Sequence, residues 1–378
     1  MSENLIKYIK PGSKIGIIGG GQLGKMLAQS AKQMGYIVGI FDPTEQCSAA
    51  QVADFHYQAP YDDEEQLKKF AEKVDVMTFE FENISVESLK SIVESGTYLP
   101  QGTEILNIIQ DRMSEKEFID RSNVPLANYY RVDNEEDLLE ALSVNGYPAV
   151  LKTRRFGYDG KGQVMIKDIN DLSEAKKLVQ SAPCVLEDFI SFDQEVSIMV
   201  VRDLNGLIKV FPLSENIHIN HILHQSIVPA RVKESIAKEA ISIAHRIADE
   251  IGLVGVLGIE FFVSDNKLLV NELAPRPHNS GHYSIEACEF SQFDMHIQAI
   301  CGVKLADNRL FSSVVMTNIL GQHLNVVLEE WPKHTDWHLH IYGKGEAKVN
   351  RKMGHITQLT KDIENTLKNN RNLKIWER

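Results

Sequence analysis

The residues richest in chemistry lie between Val254 and His282, in VGVLGIEFFVSDNKLLVNELAPRPHNSGH. Two acids, Glu260 and Glu272, each interrupt an apolar run. A carboxylate among core residues is costly unless something pairs it. Side by side the two would repel, and a hard divalent cation shared with phosphate oxygens relieves both costs. Just downstream, Arg276, His278, Asn279 and Ser280 form a polar cluster suited to an anionic substrate. A surface hairpin with solvated acids is the alternative, and the apolar flanks argue against it. A second stretch, TRRFGYDGKGQ (153–163), follows Lys152 and holds three glycines among basic residues. Glycine lets backbone N–H groups wrap phosphate oxygens, and lysine adds compact positive charge. It lacks the Walker A spacing and reads as a flexible lid over a nucleotide, with an ordinary hairpin loop as the bland reading.

The elements needed to place the two acids are strands over 254–264 and 268–273, joined by Asp265-Asn266-Lys267. A three-residue turn sets Ser264 against Leu268 and Glu260 opposite Glu272, with Cβ atoms about 5 Å apart. A two-residue turn would pair Glu260 with Asn271 and send Glu272 to the other face. On the favoured register Asn271 points away from Glu272.

Upstream, residues 14–42 read strand, glycine turn, helix, strand. Gly19-Gly20-Gly21-Gln22-Leu23-Gly24 fits GxGxxG, and Asp42 ends the next strand where a ribose-binding acid is expected. From the motif, a nicotinamide dinucleotide and another phosphate-bearing ligand fit equally, since any phosphate suits a helix N-terminus. A buried strand over 74–84 puts Glu80, Glu82 and Asn83 at its carboxyl end, the ligand edge of an open α/β sheet, ahead of a helix at 85–94. The alternating pattern gives way to helix at Asp111-Arg112, which marks a boundary. Asp133 reads as the N-cap of the next helix, with Glu136 at its third position.

Antiparallel strands follow from 185 onward. Leu186 to Ile190 (with Glu187, Asp188 and Phe189 between them) can present backbone groups to an adenine edge, and Glu195 can take ribose hydroxyls. His218, His221 and His224 recur every third residue, which does not align them on one strand face, so a metal reading is set aside. His218 is read as facing phosphate. Residues 231–251 form an amphipathic helix ended by Gly252, and 284–301 another. In the tail, Lys344, Arg351 and Lys352 either close over an anionic ligand or form a solvated face.

The chain has 378 residues, enough for two or three domains, and a net charge of −12, which argues against nonspecific nucleic-acid binding. No apolar run approaches a membrane span, and the first residues lack the features of a signal peptide. Four scattered cysteines without a CxxC pair fit free thiols in a reducing cytoplasm.

Together GGGQLGKML (19–27), TFEFENI (78–84), FGYDGKGQ (156–163) and NELAPRPHNSGH (271–282) resemble the ATP-grasp superfamily. Within it they are similar to the N5-carboxyaminoimidazole ribonucleotide synthetase family, over essentially the whole chain. The resemblance implies an α/β fold in three parts: a Rossmann-like domain at 1–111, an ATP-grasp domain at 112–301 with a lid near 125–186, and a small β-rich domain at 302–378. It implies ATP-dependent carboxylation of 5-aminoimidazole ribonucleotide with bicarbonate through carboxyphosphate, in purine biosynthesis. A formate-dependent glycinamide ribonucleotide transformylase is the near alternative. An NAD-dependent oxidoreductase and a noncatalytic nucleotide-binding protein are alternatives from other classes.

The resemblance also implies residue roles. Mg²⁺, or Mn²⁺ in its place, falls to Glu260 and Glu272. ATP falls to Arg112, Lys152, Gly157, Tyr158, Asp159, Gly160, Lys161, Gly162, Gln163, residues 187–190, Glu195, His218, Asn271 and Glu272. The ribonucleotide and bicarbonate fall to Gln22, Leu23, Glu80, Asn83, Tyr158, Arg276, His278, Asn279, Ser280, Lys344, Arg351 and Lys352. Arg276, Lys152, Tyr158 and Asp159 are the expected catalytic groups. Many superfamily members carry Asn two residues after the second glutamate; here that position is Ala274. A cytoplasmic homodimer is expected, without nucleic-acid or membrane partners, its product consumed by a mutase.

Overall fold

The computed structural model describes residues 7–157 and 162–376, which build three sheets. The first has four parallel strands in the order Phe55–Tyr57, Ile37–Phe41, Lys14–Ile18, Val76–Phe79. Ile15, Ile17 and Ile18 are wholly buried, as the continuous apolar run of a parallel strand requires. The strand expected to reach Ile84 stops at Phe79, leaving Glu80, Glu82 and Asn83 on the loop beyond its carboxyl end. The Ser85 side chain then accepts the Ser88 N–H and starts the helix Val86–Glu94.

The second sheet is antiparallel, ordered Tyr129–Val132, Cys184–Asp188, Ala149–Thr153, Gln163–Ile166. Its helix Glu135–Asn145 is capped by Asn134, not by Asp133. The Asn134 side chain accepts the Glu136 and Asp137 N–H groups, while the Asp133 carboxylate turns to Arg154 at 3.5 Å.

The third sheet has nine strands. Its main path runs Lys267–Ala274, Gly255–Ser264, Gln194–Arg202, Ser214–Ile219, Ile222–Val228, Ser313–Leu320, Lys352–Thr360, His338–Ile341. The C-terminal strands therefore extend the central sheet, joined where Gln225–Val228 pair Val314–Thr317. The helix Glu234–Glu250 buries Ile236, Ala240, Ile243 and Ile247 in the core, each isoleucine worth roughly 1.5–3 kcal/mol, and Gly252 (φ 63°) lies just past its end. The helix expected over 284–301 is two, Ser284–Ala287 and Gln292–Ile300. Cys288 bridges to Leu310 between them, and the Ser291 hydroxyl caps the second helix at Asp294 N. Among the described residues, no helix is long and apolar enough to cross a membrane.

Candidate active site

The two central strands, Gly255–Ser264 and Lys267–Ala274, are closed by Asp265 and Asn266 alone, both at positive φ (50° and 60°), with Ser264 opposite Lys267. This two-residue turn replaces the expected three-residue one. On its own it would have paired Glu260 with Asn271. The register shifts instead between Glu260 and Phe261: Phe261 faces Val270, Glu260 faces Glu272, and Asn271 is the extra residue of a bulge. The expectation that Asn271 points away from Glu272 is overturned by the same bulge, since both residues line one cavity.

That cavity, of about 1530 Å³, lies between the three sheets. At one end Lys152 Nζ and Lys116 Nζ each stand 3.1 Å from Glu187 Oε2. Burial pushes the Lys152 ammonium below its ordinary pKa, partly offset by Glu187. Burial would raise Glu187, but the two lysines and Arg112 outweigh it and hold the carboxyl at about 2. Arg112 Nη1 lies 3.5 Å from Glu272 Oε2. His218 Nδ1 is paired with Glu195, and His221 lines the same wall, while His224 meets the Trp376 ring edge-on at 5.6 Å. The three histidines thus do not converge. Gly157, Gln163, Asp188, Phe189 and Ile190 also face the cavity. Gly162 does not; its φ of 72° and its 2.6 Å approach to Thr153 Oγ1, where a Cβ would stand, explain the glycine instead. Tyr158, Asp159, Gly160 and Lys161 lie outside the described residues.

At the other end the glycine turn is already occupied. Gly21 and Gly24 donate their N–H groups to the Glu80 carboxylate at 2.7 and 3.2 Å. Asp42 takes the Gly20 N–H at 2.7 Å and the Tyr61 hydroxyl at 2.5 Å. The positive end of the helix Gln22–Gln33 therefore faces a protein carboxylate, and Asp42 is spent on internal contacts. A dinucleotide has neither its phosphate cradle nor its ribose acid here. Burial pushes Glu80 up to about 7 against the pull of the two N–H donors.

Gln22, Leu23, Glu80 and Asn83 line this end together with Arg276, His278, Asn279 and Lys352. Arg276 Nε is held 2.9 Å from Glu82 Oε1. His278 Nε2 lies 3.1 Å from Glu260 Oε1, and its Nδ1 lies 2.8 Å from Ser280 Oγ. Desolvation by the surrounding protein would raise the half-buried Glu260, but the His278 contact and neighbouring cations hold it at about 2. Three contacts expected at this end are not on the cavity wall. Ser280 is wholly buried behind it and bonded to Ser197 Oγ at 2.6 Å, so it can orient His278 but not reach a ligand. Arg351 is exposed and donates to the Glu346 carbonyl at 3.2 Å. Lys344 stands over the Tyr342 ring, 5.6 Å from its centroid, near enough to favour the charged form of Glu80.

The pair Glu260 and Glu272 suits a hard cation. Among the described residues no group of three or more His, Cys, Asp or Glu could hold a metal. Two carboxylates leave coordination positions for phosphate oxygens and water, the arrangement magnesium favours.

Sequence reasoning missed Glu115 and Lys116, 2% and 1% exposed on the helix Arg112–Arg121. Glu115 Oε1 accepts the Leu273 N–H at 2.6 Å. Burial and the Glu272 charge push Glu115 up to about 8. The available signal was their place on the helix face that also carries Phe118 and Ile119. Also missed was the bidentate hold of Arg154 on Asp111, at 2.9 and 2.8 Å, which ties the start of the glycine loop to this helix.

The ATP-grasp domain family matches residues 117–293, a ribonucleotide synthetase preATP-grasp domain matches 13–110, and a phosphoribosylaminoimidazole carboxylase C-terminal domain matches 314–369. The chain is 48% identical over 369 residues to an N5-carboxyaminoimidazole ribonucleotide synthase of Staphylococcus aureus (strain MSSA476), covering 97% of each. Its fold matches an ADP complex of an N5-carboxyaminoimidazole ribonucleotide synthetase with TM-score 0.96 at 49% identity, covering 99% of both chains. It also matches the Aspergillus clavatus synthase in complex with ADP and 5-aminoimidazole ribonucleotide, with TM-score 0.88 at 28% identity over 96% of this chain and 97% of that one. With these parts in this order and likeness along nearly its whole length, the chain belongs to the N5-carboxyaminoimidazole ribonucleotide synthase family.

Proposed function

We infer that this protein is an ADP-forming ligase that carboxylates 5-aminoimidazole ribonucleotide with bicarbonate, giving N5-carboxyaminoimidazole ribonucleotide, ADP and phosphate, a step of purine biosynthesis. The observation that carries the reading is one cavity with two chemically different ends. Lys152, Arg112 and Glu187 line one end, Arg276, His278 and Glu80 the other, and the Glu260–Glu272 pair lies between.

Residues 187–190 and Glu195 would hold the nucleoside of ATP, with Arg112, Lys152 and His218 beside its phosphates. Glu260 and Glu272 would hold Mg²⁺ or Mn²⁺, which when bound neutralises charge on phosphate oxygens. Phosphoryl transfer needs positioning and electrostatics more than covalent help. The bond from the γ-phosphorus to ADP breaks as one to a bicarbonate oxygen forms. Arg276, steadied by Glu82, faces that oxygen with a guanidinium suited to a planar oxyanion. The amine of the ribonucleotide then bonds to the carboxyl carbon, phosphate leaves, and the amine loses a proton. Gln22, Leu23, Asn83 and Asn279 shape the ribonucleotide end, with Lys352 near its anionic groups. The catalytic roles of Tyr158 and Asp159 remain part of this proposal. A covered site matters because carboxyphosphate hydrolyses in water. We further propose a cytoplasmic homodimer whose product passes to a mutase, testable by sedimentation and by a coupled assay.

The decisive test is ADP release by the purified protein with ATP and Mg²⁺, adding bicarbonate and 5-aminoimidazole ribonucleotide singly and together. Release that needs the ribonucleotide and rises with bicarbonate is the expected result. Release driven by formate and glycinamide ribonucleotide would overturn it.

A further inference from the structure

We propose that Glu115 and Lys116 are positioning residues that stand in for a missing neighbouring strand and hold the Asn271 bulge so that Glu272 faces the cavity. The strand Lys267–Ala274 is the edge of the nine-stranded sheet. Backbone groups along a covered edge must still find partners. Chain supplies one of them: Val270 N–H donates to the Pro125 carbonyl at 2.8 Å. Past that point side chains take over. Lys116 Nζ reaches the Asn271 carbonyl at 3.5 Å, and Glu115 Oε1 accepts the Leu273 N–H at 2.6 Å. The backbone is therefore gripped on both sides of Glu272, at the residue before it and the residue after.

Both grips come from one helix, Arg112–Arg121, where the two residues are almost fully buried. Burying an acid and a base is costly, and apolar side chains of similar size would fill the space at less cost. Their placement is accounted for by what they hold. A bulge has one residue with no partner across the ladder, so its conformation depends on such outside contacts. Lys116 also stands 3.1 Å from Glu187, which holds Lys152. The aim of Glu272 and the position of the phosphate-end lysine thus share one anchor.

This inference rests on the assignment of a divalent cation to Glu260 and Glu272, and the test separates the two. Mn²⁺ binding to the full-length protein with ADP is measured by electron paramagnetic resonance, beside ADP binding without metal. Glu115→Asp keeps the carboxyl group but withdraws the oxygen from Leu273 N–H; it should weaken Mn²⁺ binding about 10–100-fold, as loss of a ligand-orienting contact does, and leave metal-free ADP binding unchanged. Glu115→Gln keeps an acceptor oxygen in reach and should retain most of the affinity. Wild-type Mn²⁺ affinity in Glu115→Asp, or equal loss in both variants, would overturn the positioning role. Glu272→Gln is the control. If it binds Mn²⁺ like the wild type, the cation assignment falls and the positioning role with it; if it is weakened while Glu115→Asp is not, only the positioning role falls.

Discussion

Glu260 stands directly across from Glu272 although only two residues close the hairpin between them, because Asn271 is extruded as a bulge next to the second acid. The pairing puts two carboxylates on one cavity wall and gives a direct prediction. Glu272→Ala should lower kcat for ADP formation by on the order of 10²–10³-fold, the loss of several kcal/mol of charge stabilisation, with little change in melting temperature. Steady-state assay beside a thermal melt checks this; undiminished turnover would remove Glu272 from the phosphoryl-transfer site.

Arg276 is aimed by Glu82 through a 2.9 Å contact. In Glu82→Gln the guanidinium loses its charged partner but keeps an acceptor. The KM for bicarbonate should rise by about tenfold, a cost of roughly 1.4 kcal/mol, while the KM for ATP stays put. Equal rises in both would mean that the substitution disturbs the whole cavity.

The two neighbouring basic residues of the tail should separate cleanly. Lys352 lines the cavity, whereas Arg351 is exposed and bonded to its own loop. Lys352→Ala is expected to raise the KM for the ribonucleotide well above the effect of Arg351→Ala. Kinetics giving the reverse order would place the loop differently over the substrate.

Glu187 makes stability depend on pH in a defined window. Its folded pKa of about 2 lies below the ordinary 4.5, because Lys152, Lys116 and Arg112 favour the carboxylate despite burial. A depressed carboxyl contributes fully above about pH 4.5, and the contribution is withdrawn as pH falls toward 2. Glu187→Gln leaves two lysines without their counter-charge and should cost about 3 kcal/mol at pH 7. Urea unfolding of both forms should show that gap narrowing between pH 5 and pH 3. A gap independent of pH would dissociate Glu187 from the lysine cluster.

Much of this molecule is written in short-range pattern. Alternation of strand, glycine turn and helix announces the parallel sheet, and acids inside the apolar runs at 260 and 272 announce a charged site. Lys152 and Arg276 stand out because charge beside buried strands must be used. Tertiary structure decided what those patterns leave open. GxGxxG is satisfied by phosphate or by carboxylate, and only the approach of the Val76–Phe79 strand puts Glu80 at Gly21 and Gly24. Hairpin register depends on the turn and on any bulge together, and this bulge is held from outside by Glu115 and Lys116. Buried charges on a helix look like solvated ones until the surface they meet is known. The sequence by itself determined which groups must find partners; the packing of three sheets around one cavity decided which partners they found, because contacts between distant segments carry no local periodicity.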